Sequence, residues 1–98
     1  MMGYEQEIEP YRVEINRLNK EIIDLIEQRV QAAIKIGDIK QRYGRPVIDK
    51  AREEIVIQQV TSLAQNKDLD PVRVARIFRE IIQLCVEAEE QHESRLPG

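Results

Sequence analysis

A heptad repeat of apolar residues runs almost unbroken through residues 8–39 of this chain. Spacing of this kind is typical of a helix that packs along its length against another helix. Pro10 fits the first helical position, where a missing N–H costs no hydrogen bond, and Gly44 is a typical helix stop. The pattern therefore predicts a first helix over about residues 8–43. The repeat fills two heptad positions, one with Ile8, Ile15, Ile22 and Ile36, and the other with Tyr11, Leu18, Leu25, Ala32 and Ile39.

Two shorter helices are predicted after the break at Gly44. The second covers about residues 49–65, with Asp49 as the N-cap whose carboxylate accepts from the free N–H groups of the first turn. The third covers about residues 71–93. It starts after Asp70, a second acidic N-cap, with a proline in the first turn, where proline is well tolerated.

The fold class that follows is all-α, in a single domain spanning residues 1–98 with Pro97-Gly98 as a tail. The low content of glycine, proline and aromatic residues agrees with helices. A helix from Pro10 to Tyr43 is about 50 Å long, whereas a compact domain of this size has a radius of gyration of about 13 Å. The first helix is too long for a compact monomer. We therefore expect an intertwined homodimer in which the long helices cover each other.

Several function classes are excluded by composition. The net charge of −3 provides no basic field for nucleic acid or acidic lipid. The lone Cys85 cannot form an internal disulfide, and with His92 as the only histidine the usual zinc sites are excluded. No apolar run in residues 1–30 resembles a signal peptide or membrane span, so a cytoplasmic protein is expected. The sequence also has no glycine-rich phosphate loop and no Ser/His/Asp set, and no metal or cofactor is expected.

Two cations fall on the interior side of the first helix. Arg29 takes the heptad slot that isoleucine fills elsewhere, and Lys40 lies about 20° around the helix and about 16 Å along it. Burying an unpaired guanidinium is costly, so Arg29 needs a partner. Either it pairs with a glutamate of another helix, or the two cations line a pocket for a ligand with two anionic ends. Arg12 lies about 25 Å from Arg29, so it is either a solvated charge or reaches the Arg29 end from a partner subunit.

The second helix begins with a compact group of charges. Asp49, Arg52 and Glu53 lie within one turn, as a cap with a local salt bridge or as a cation and an acceptor presented to a ligand. On the third helix, Cys85 and Glu89 share one face beside an apolar stripe. Such residues are most often a buried thiol and a boundary carboxylate. Without a neighbouring histidine, the thiol is not expected to act as a nucleophile.

Taken together, these segments resemble the all-helical chorismate mutases over about residues 8–92. The resemblance implies an intertwined dimer with two equivalent active sites, each using three helices of one chain and the start of its partner's first helix. It also implies rearrangement of chorismate to prephenate, on the route to phenylalanine and tyrosine, without nucleophile, metal or cofactor. The segments that carry it are Tyr11-Arg12, Glu27-Gln28-Arg29, Ile36-Gly37 to Lys40, Arg45-Pro46-Val47 with Asp49, Arg52 and Glu53, and Val74 to Ile82.

The same resemblance implies roles for individual residues. Arg29 and the partner's Arg12 would hold the two substrate carboxylates, and Lys40 would donate to the ether oxygen whose C–O bond breaks. Glu53 and the backbone at Asp49 would bind the ring hydroxyl. The remaining implied roles are support of a carboxylate by Arg52 and an apolar wall for the ring at Ile36.

Two positions depart from the enteric members of that family. Cys85 stands where they have a serine near a carboxylate, and a thiol is a weaker donor. Glu89 stands where they have a glutamine facing the ether oxygen, although fungal members also carry glutamate. An ionised carboxylate cannot donate a hydrogen bond, so Glu89 has to be protonated to fill that role.

Two other functions remain open from the sequence. Isochorismate pyruvate-lyases share this fold and much of this site. A non-catalytic helical dimerisation module is the second alternative, although such a module gains nothing from Arg29 in its seam. In some relatives the mutase domain is fused to a later pathway enzyme. This sequence is expected to be free-standing and without feedback inhibition by aromatic amino acids.

Overall fold

The computed structural model describes residues 3–95, and over this range the chain forms three helices and no strand. These are α1 (Tyr4–Arg42), α2 (Lys50–Asn66) and α3 (Pro71–Arg95). The all-α prediction is confirmed, and each predicted helix is present with ends shifted by a few residues. The predicted tail, Pro97-Gly98, lies outside the described residues.

The start of α1 differs from the prediction. The helix begins at Tyr4, so Pro10 lies inside it and the prediction of Pro10 as the first helical residue is wrong. Gly3 is the N-cap, and its N–H donates to the Gln6 side chain at 2.9 Å. Acidic side chains in the first turn also stabilise the helix, because they interact with the positive end of its dipole. These local interactions offset the single backbone hydrogen bond that Pro10 cannot donate.

The end of α1 is a Schellman motif built on Gly44. The N–H of Arg45 donates to the Lys40 carbonyl at 2.8 Å, and the N–H of Gly44 donates to Gln41 at 3.1 Å. Gly44 has a φ of 66°, the left-handed conformation that this motif requires. The predicted stop at Gly44 is confirmed. The end of α2 has the same pattern, with Asp68 in the left-handed position at φ 56°.

Acidic N-caps begin both shorter helices, as predicted. The Asp49 carboxylate accepts from the N–H of Arg52 at 3.0 Å. The Asp70 carboxylate accepts from the N–H groups of Val72 at 3.0 Å and Arg73 at 3.3 Å. Each cap satisfies backbone donors that have no partner inside the helix. The caps therefore fix where the chain turns back towards α1.

The third helix packs against both of the others and organises the fold. Its contacts to α1 and α2 are equally extensive. The small core lies between α2 and α3, where Ile57 packs with Ile82 and Val86. By contrast, residues 9–25 of α1 are exposed throughout. The N-terminal part of α1 thus projects beyond the packed part of the chain.

The single chain is elongated and leaves its apolar seam uncovered. Its radius of gyration is 18.2 Å and its extents are 67 × 30 × 14 Å. A compact chain of this length has a radius of gyration of about 13 Å. Along the heptad seam, Ile22 is 52% exposed and Leu25 is 62% exposed. Within residues 3–95, no helix combines the length and apolarity that crossing a bilayer requires.

Replacing Gly44 tests the cap that ends α1. No atom lies within 4 Å of a Cβ added at this residue, so the cost of Gly44→Ala comes from the backbone conformation alone. We expect a loss of about 1 kcal/mol in the free energy of unfolding. Gly44→Asn should cost less, because asparagine tolerates the left-handed conformation. Urea unfolding at one fixed protein concentration measures both, and equal costs for the two variants would contradict this account.

Candidate active site

A cavity of about 400 Å³ opens between the C-terminal half of α1, the start of α2 and the C-terminal half of α3. Its position follows from the helix packing, because α1 and α2 each pack against α3 and leave a space between them. The wall is mixed and consists of apolar and charged side chains. The lining residues are Arg29, Ala32, Ala33, Ile36 and Lys40 from α1, Val47, Asp49, Arg52, Glu53 and Val56 from the turn and α2, and Ile82, Cys85, Val86 and Glu89 from α3.

All but one of the site residues predicted from the sequence line this cavity. The exception is Arg12, which lies in the projecting part of α1. Its guanidinium pairs with Glu5 at 2.7 Å, and both side chains are exposed. At about 1.5 Å per residue, Arg12 lies about 25 Å along the helix from Arg29. One chain therefore cannot bring these two arginines to the same small ligand.

The two interior cations of α1 are both held by neighbouring groups. Arg29 Nη1 donates to Cys85 Sγ at 2.9 Å. Lys40 Nζ donates to the Val47 carbonyl at 2.6 Å and lies 3.8 Å from Glu89 Oε2. Arg29 therefore has a thiol and not a glutamate as its partner, and the ion pair between helices is formed by the other cation, Lys40, with Glu89. Both cations also line the cavity, where an anion can reach them.

Glu89 is the most unusual group in the site. It is only 7% exposed, and its Oε2 atom has no hydrogen-bond partner among residues 3–95. Burial raises the pKa of Glu89, because the charged form loses its hydration. The Lys40 ammonium opposes this rise, and the charges of Glu90 and Glu93 add to it. The net upward direction favours a protonated carboxyl, which can donate a hydrogen bond into the cavity.

The start of α2 brings a second set of polar groups to the cavity. Asp49 uses one carboxylate oxygen as the helix cap, which leaves the other available. Glu53 lines the cavity and is 3.7 Å from Lys50, whose side chain is exposed. Within the described chain, Arg52 has no ion-pair partner. An acceptor and a cation therefore face the cavity from this side.

Two features beside the site escape sequence reasoning. Gly37 packs directly on the Glu89 side chain, and a Cβ there would lie 3.3 Å from Glu89 Cγ. His92 Nε2 donates a hydrogen bond to the Asp38 carboxylate at 3.0 Å, which ties α1 to α3. A glycine within a strongly helical segment was the available signal for the first. Nothing in the spacing alone paired Asp38 with His92.

The arrangement suits a small anionic ligand. Three cations line the cavity together with carboxyl groups from α2 and α3 and apolar side chains such as Ile36 and Val56. No histidine lines it, and residues 3–95 contain no group of three side chains placed to hold a metal ion. Fixed donors of this kind stabilise charge that develops in a bound molecule without reorganising. The site thus has the parts for electrostatic catalysis and for conformer selection.

Comparison with known sequences identifies a family with the same pattern. The profile of the family described as chorismate mutase type II matches residues 11–90. This match includes the parts of all three helices that line the cavity. It also includes Arg12, which lies far from the cavity in the single chain.

Several curated proteins are similar to this chain over most of its length. Bifunctional chorismate mutase/prephenate dehydratases of Buchnera aphidicola and Aquifex aeolicus are each 30% identical, over 78% and 88% of this chain. The matched parts are 20% and 25% of those proteins, so the chain spans a quarter of their length or less. A 4-amino-4-deoxychorismate mutase of Streptomyces venezuelae is 24% identical over 86% of this chain and 82% of its own length.

Proposed function

The chain belongs to the chorismate mutase type II family, and we propose that it rearranges chorismate to prephenate, an isomerase step of phenylalanine and tyrosine biosynthesis in the cytoplasm. The observation that carries this proposal is one cavity holding Arg29, Lys40 and a buried carboxyl at Glu89. Chorismate is a small dianion whose ether bond breaks while a new carbon–carbon bond forms within the same molecule. Such a reaction needs its two ends held together and its developing negative charge stabilised.

Carboxylate binding is assigned to the arginines. Arg29 lines the cavity from α1, and its hydrogen bond to Cys85 fixes the guanidinium without consuming its charge. A second carboxylate needs a second cation at a distance that one chain does not supply. The partner subunit's Arg12 fills this role in the proposal. Binding both ends favours the folded conformer over the extended one and so lowers the entropic part of the barrier.

The ether oxygen is assigned to Lys40 and Glu89. Negative charge grows on this oxygen in the transition state, where a donor contributes more than it does in the ground state. The Val47 carbonyl holds the Lys40 ammonium in place at 2.6 Å. Glu89 adds a second donor when it is protonated, which its burial favours. Both groups are therefore positioned before the substrate arrives.

The other end of the substrate is assigned to α2. Glu53 and the backbone at Asp49 would accept from or donate to the ring hydroxyl, and Arg52 would support a carboxylate. Ile36 provides an apolar surface for the ring. The amine of a 4-amino-4-deoxychorismate would meet the same Glu53 carboxylate. The similarity to a mutase of that name in Streptomyces venezuelae makes this compound the second substrate to test.

A homodimer with shared sites is part of the proposal. The support is the row of apolar side chains left open on α1, including Leu25 at 62% exposure. A second α1 along this row would bury it, as heptad seams do in paired helices. The same contact would bring the partner's Arg12 towards the Arg29 end of the cavity. Dimerisation would therefore complete both the core and the active site.

The deciding experiment measures substrate loss with the product identified. Purified protein is incubated with chorismate, isochorismate or 4-amino-4-deoxychorismate, and the products are separated and identified by mass and absorbance. Prephenate from chorismate is the expected result. Pyruvate release from isochorismate would identify the lyase, and no turnover of any compound would favour a dimerisation module. A transition-state analogue should also raise the melting temperature.

Lys40→Ala should lower kcat far more than it raises KM. Lys40 is assigned to charge that exists mainly in the transition state, so its loss should reduce kcat by about 10²–10³-fold. Steady-state kinetics on chorismate measures the two constants separately. Lys35→Ala is the matched control, because Lys35 is exposed on the same helix and does not line the cavity. A raised KM with unchanged kcat would show that Lys40 only binds a carboxylate.

Arg12→Ala and Arg29→Ala should each inactivate the homodimer, and mixing the two variants should restore activity. A mixed dimer holds one site with both arginines intact and one with neither. If subunits exchange at random, about half of the dimers are mixed, so about a quarter of wild-type activity should return. Sedimentation equilibrium of each variant checks that the dimer forms. Dimers that mix without any recovery would contradict a site shared between subunits.

Glu89→Gln should remove the loss of activity at high pH. The folded-state pKa of Glu89 is raised, so the donor form persists above the ordinary glutamate range and disappears as pH rises through that pKa. Wild-type kcat/KM should fall along this limb, whereas the amide remains a donor at every pH. The measurement is a pair of pH–rate profiles from about pH 4.5 to 8.5.

The matched control for this profile is Glu87→Gln. Glu87 is exposed on the same helix and bonds to Gln83, outside the cavity. It should keep the wild-type limb. A flat wild-type profile, or an unchanged limb in Glu89→Gln, would remove Glu89 from the ether oxygen.

A further inference from the structure

One contact between α1 and α3 is made at a residue of α1 that has no side chain. The Glu89 side chain lies against Gly37, at a point where a Cβ would be 3.3 Å from Cγ and 3.4 Å from both Cβ and Oε2 of Glu89. The 3.3 Å distance to Cγ is tighter than ordinary van der Waals contact, and the two distances of 3.4 Å lie at its lower limit. Because Gly37 has no Cβ, the Glu89 side chain can lie this close to α1. Any larger residue would meet the carboxyl that faces the cavity.

Two ties between the helices flank this contact. On one side, Arg29 of α1 bonds to Cys85 of α3 at 2.9 Å. On the other side, Asp38 of α1 bonds to His92 of α3 at 3.0 Å. Cys85 and His92 lie four residues before and three residues after Glu89 on the same helix face. The helices are thus held together on both sides, and moving α3 away to make room for a methyl group at residue 37 would stretch these hydrogen bonds.

The side chain that has to yield is that of Glu89 itself. It makes no hydrogen bond at Oε2 that would resist displacement, and its ion pair with Lys40 is loose at 3.8 Å. The backbone on both helices is fixed by regular hydrogen bonding and by the flanking ties. A displacement of a few tenths of an ångström at Cγ is therefore transmitted to the carboxyl oxygens. Distances of this size matter for a group that has to meet one atom of a bound molecule.

From this geometry we propose that Gly37 is a positioning residue, which by lacking a Cβ sets where the Glu89 carboxyl stands relative to Lys40 and the reacting atoms. The proposal rests on the proposed function, because it takes Glu89 as a donor to the substrate. Gly37 itself does not line the cavity. Its contribution is to let the Glu89 side chain pack directly on the backbone of α1.

Gly37→Ala tests this role through kcat. Alanine is the better helix former, so the substitution should not weaken α1 through propensity. It should lower kcat by about tenfold, with a smaller change in KM, because it displaces a group that acts on the transition state. Gln31→Ala is the matched control, an alanine on the exposed face of the same helix and outside the cavity. It should keep wild-type kcat and KM.

A second background separates positioning from general damage to the packing. In Glu89→Ala the atoms that Gly37→Ala would displace are gone, apart from Cβ at ordinary contact distance. Adding Gly37→Ala to Glu89→Ala should therefore cause no further loss of kcat. An equal loss in both backgrounds would overturn the proposal and show that alanine disturbs the helix pair as a whole. No loss in the wild-type background would overturn it as well.

A spectroscopic readout makes the result independent of turnover. The ¹³C signal of the Glu89 side-chain carboxyl, assigned by its absence in Glu89→Gln, should move in Gly37→Ala and stay in place in Gln31→Ala. A signal that stays in place in both variants would overturn the positioning role. If the signal moves but the wild type converts no chorismate, the proposed function is wrong, but Gly37 still sets the position of the Glu89 carboxyl.

Discussion

The packing of α3 between its two neighbours is the constraint on which the rest of this structure depends. α1 and α2 both pack on α3, and the core of Ile57, Ile82 and Val86 lies on one side of it. Because α3 separates the other two helices at its C-terminal half, a cavity remains between them. Four residues of α3 line this cavity, and all of them are buried: Ile82, Cys85, Val86 and Glu89. The same helix face thus supplies both the cohesion of the fold and part of the site.

The electrostatics of the cavity are costly for the fold and useful for binding. A buried carboxyl without a hydrogen-bond partner destabilises the folded state, typically by about 1–3 kcal/mol. Glu89 is such a group, and the Lys40 ammonium compensates it incompletely across 3.8 Å. A bound molecule that accepts from both groups would satisfy them together. Unsatisfied buried groups of this type are expected at sites that gain partners from a ligand.

The heptad pattern was sufficient to predict the fold but not all of its details. Apolar periodicity and the acidic caps at Asp49 and Asp70 predicted three helices, because these signals are local. Pro10 was misplaced because the helix begins upstream, at the N-cap Gly3, and continues through the proline despite the lost hydrogen bond. The end at Gly44 was predicted correctly, since a left-handed residue is needed there.

The site residues that could be predicted are the charged ones that interrupt an apolar pattern. Arg29 and Lys40 stand out because they interrupt an apolar face, and both line the cavity. Gly37 could not be recognised in this way, because its importance is the absence of a side chain next to one from a distant helix. The pairing of Asp38 with His92 is also non-local, across α1 and α3. Contacts of this kind depend on the helix packing, which periodicity does not specify.

The position of Arg12 links the two roles of α1. Arg12 follows Tyr11, a residue of the heptad seam. If a second copy of α1 covers the seam, each subunit would therefore bring its own Arg12 to the other subunit. Its ion pair with Glu5 is exposed on both sides, and exposed pairs contribute about 0–1 kcal/mol. In the proposed dimer, such a weak pair would be exchanged for a ligand carboxylate at little cost. The length of α1 beyond its contacts with α3 therefore serves the cavity of the other subunit in the proposed dimer.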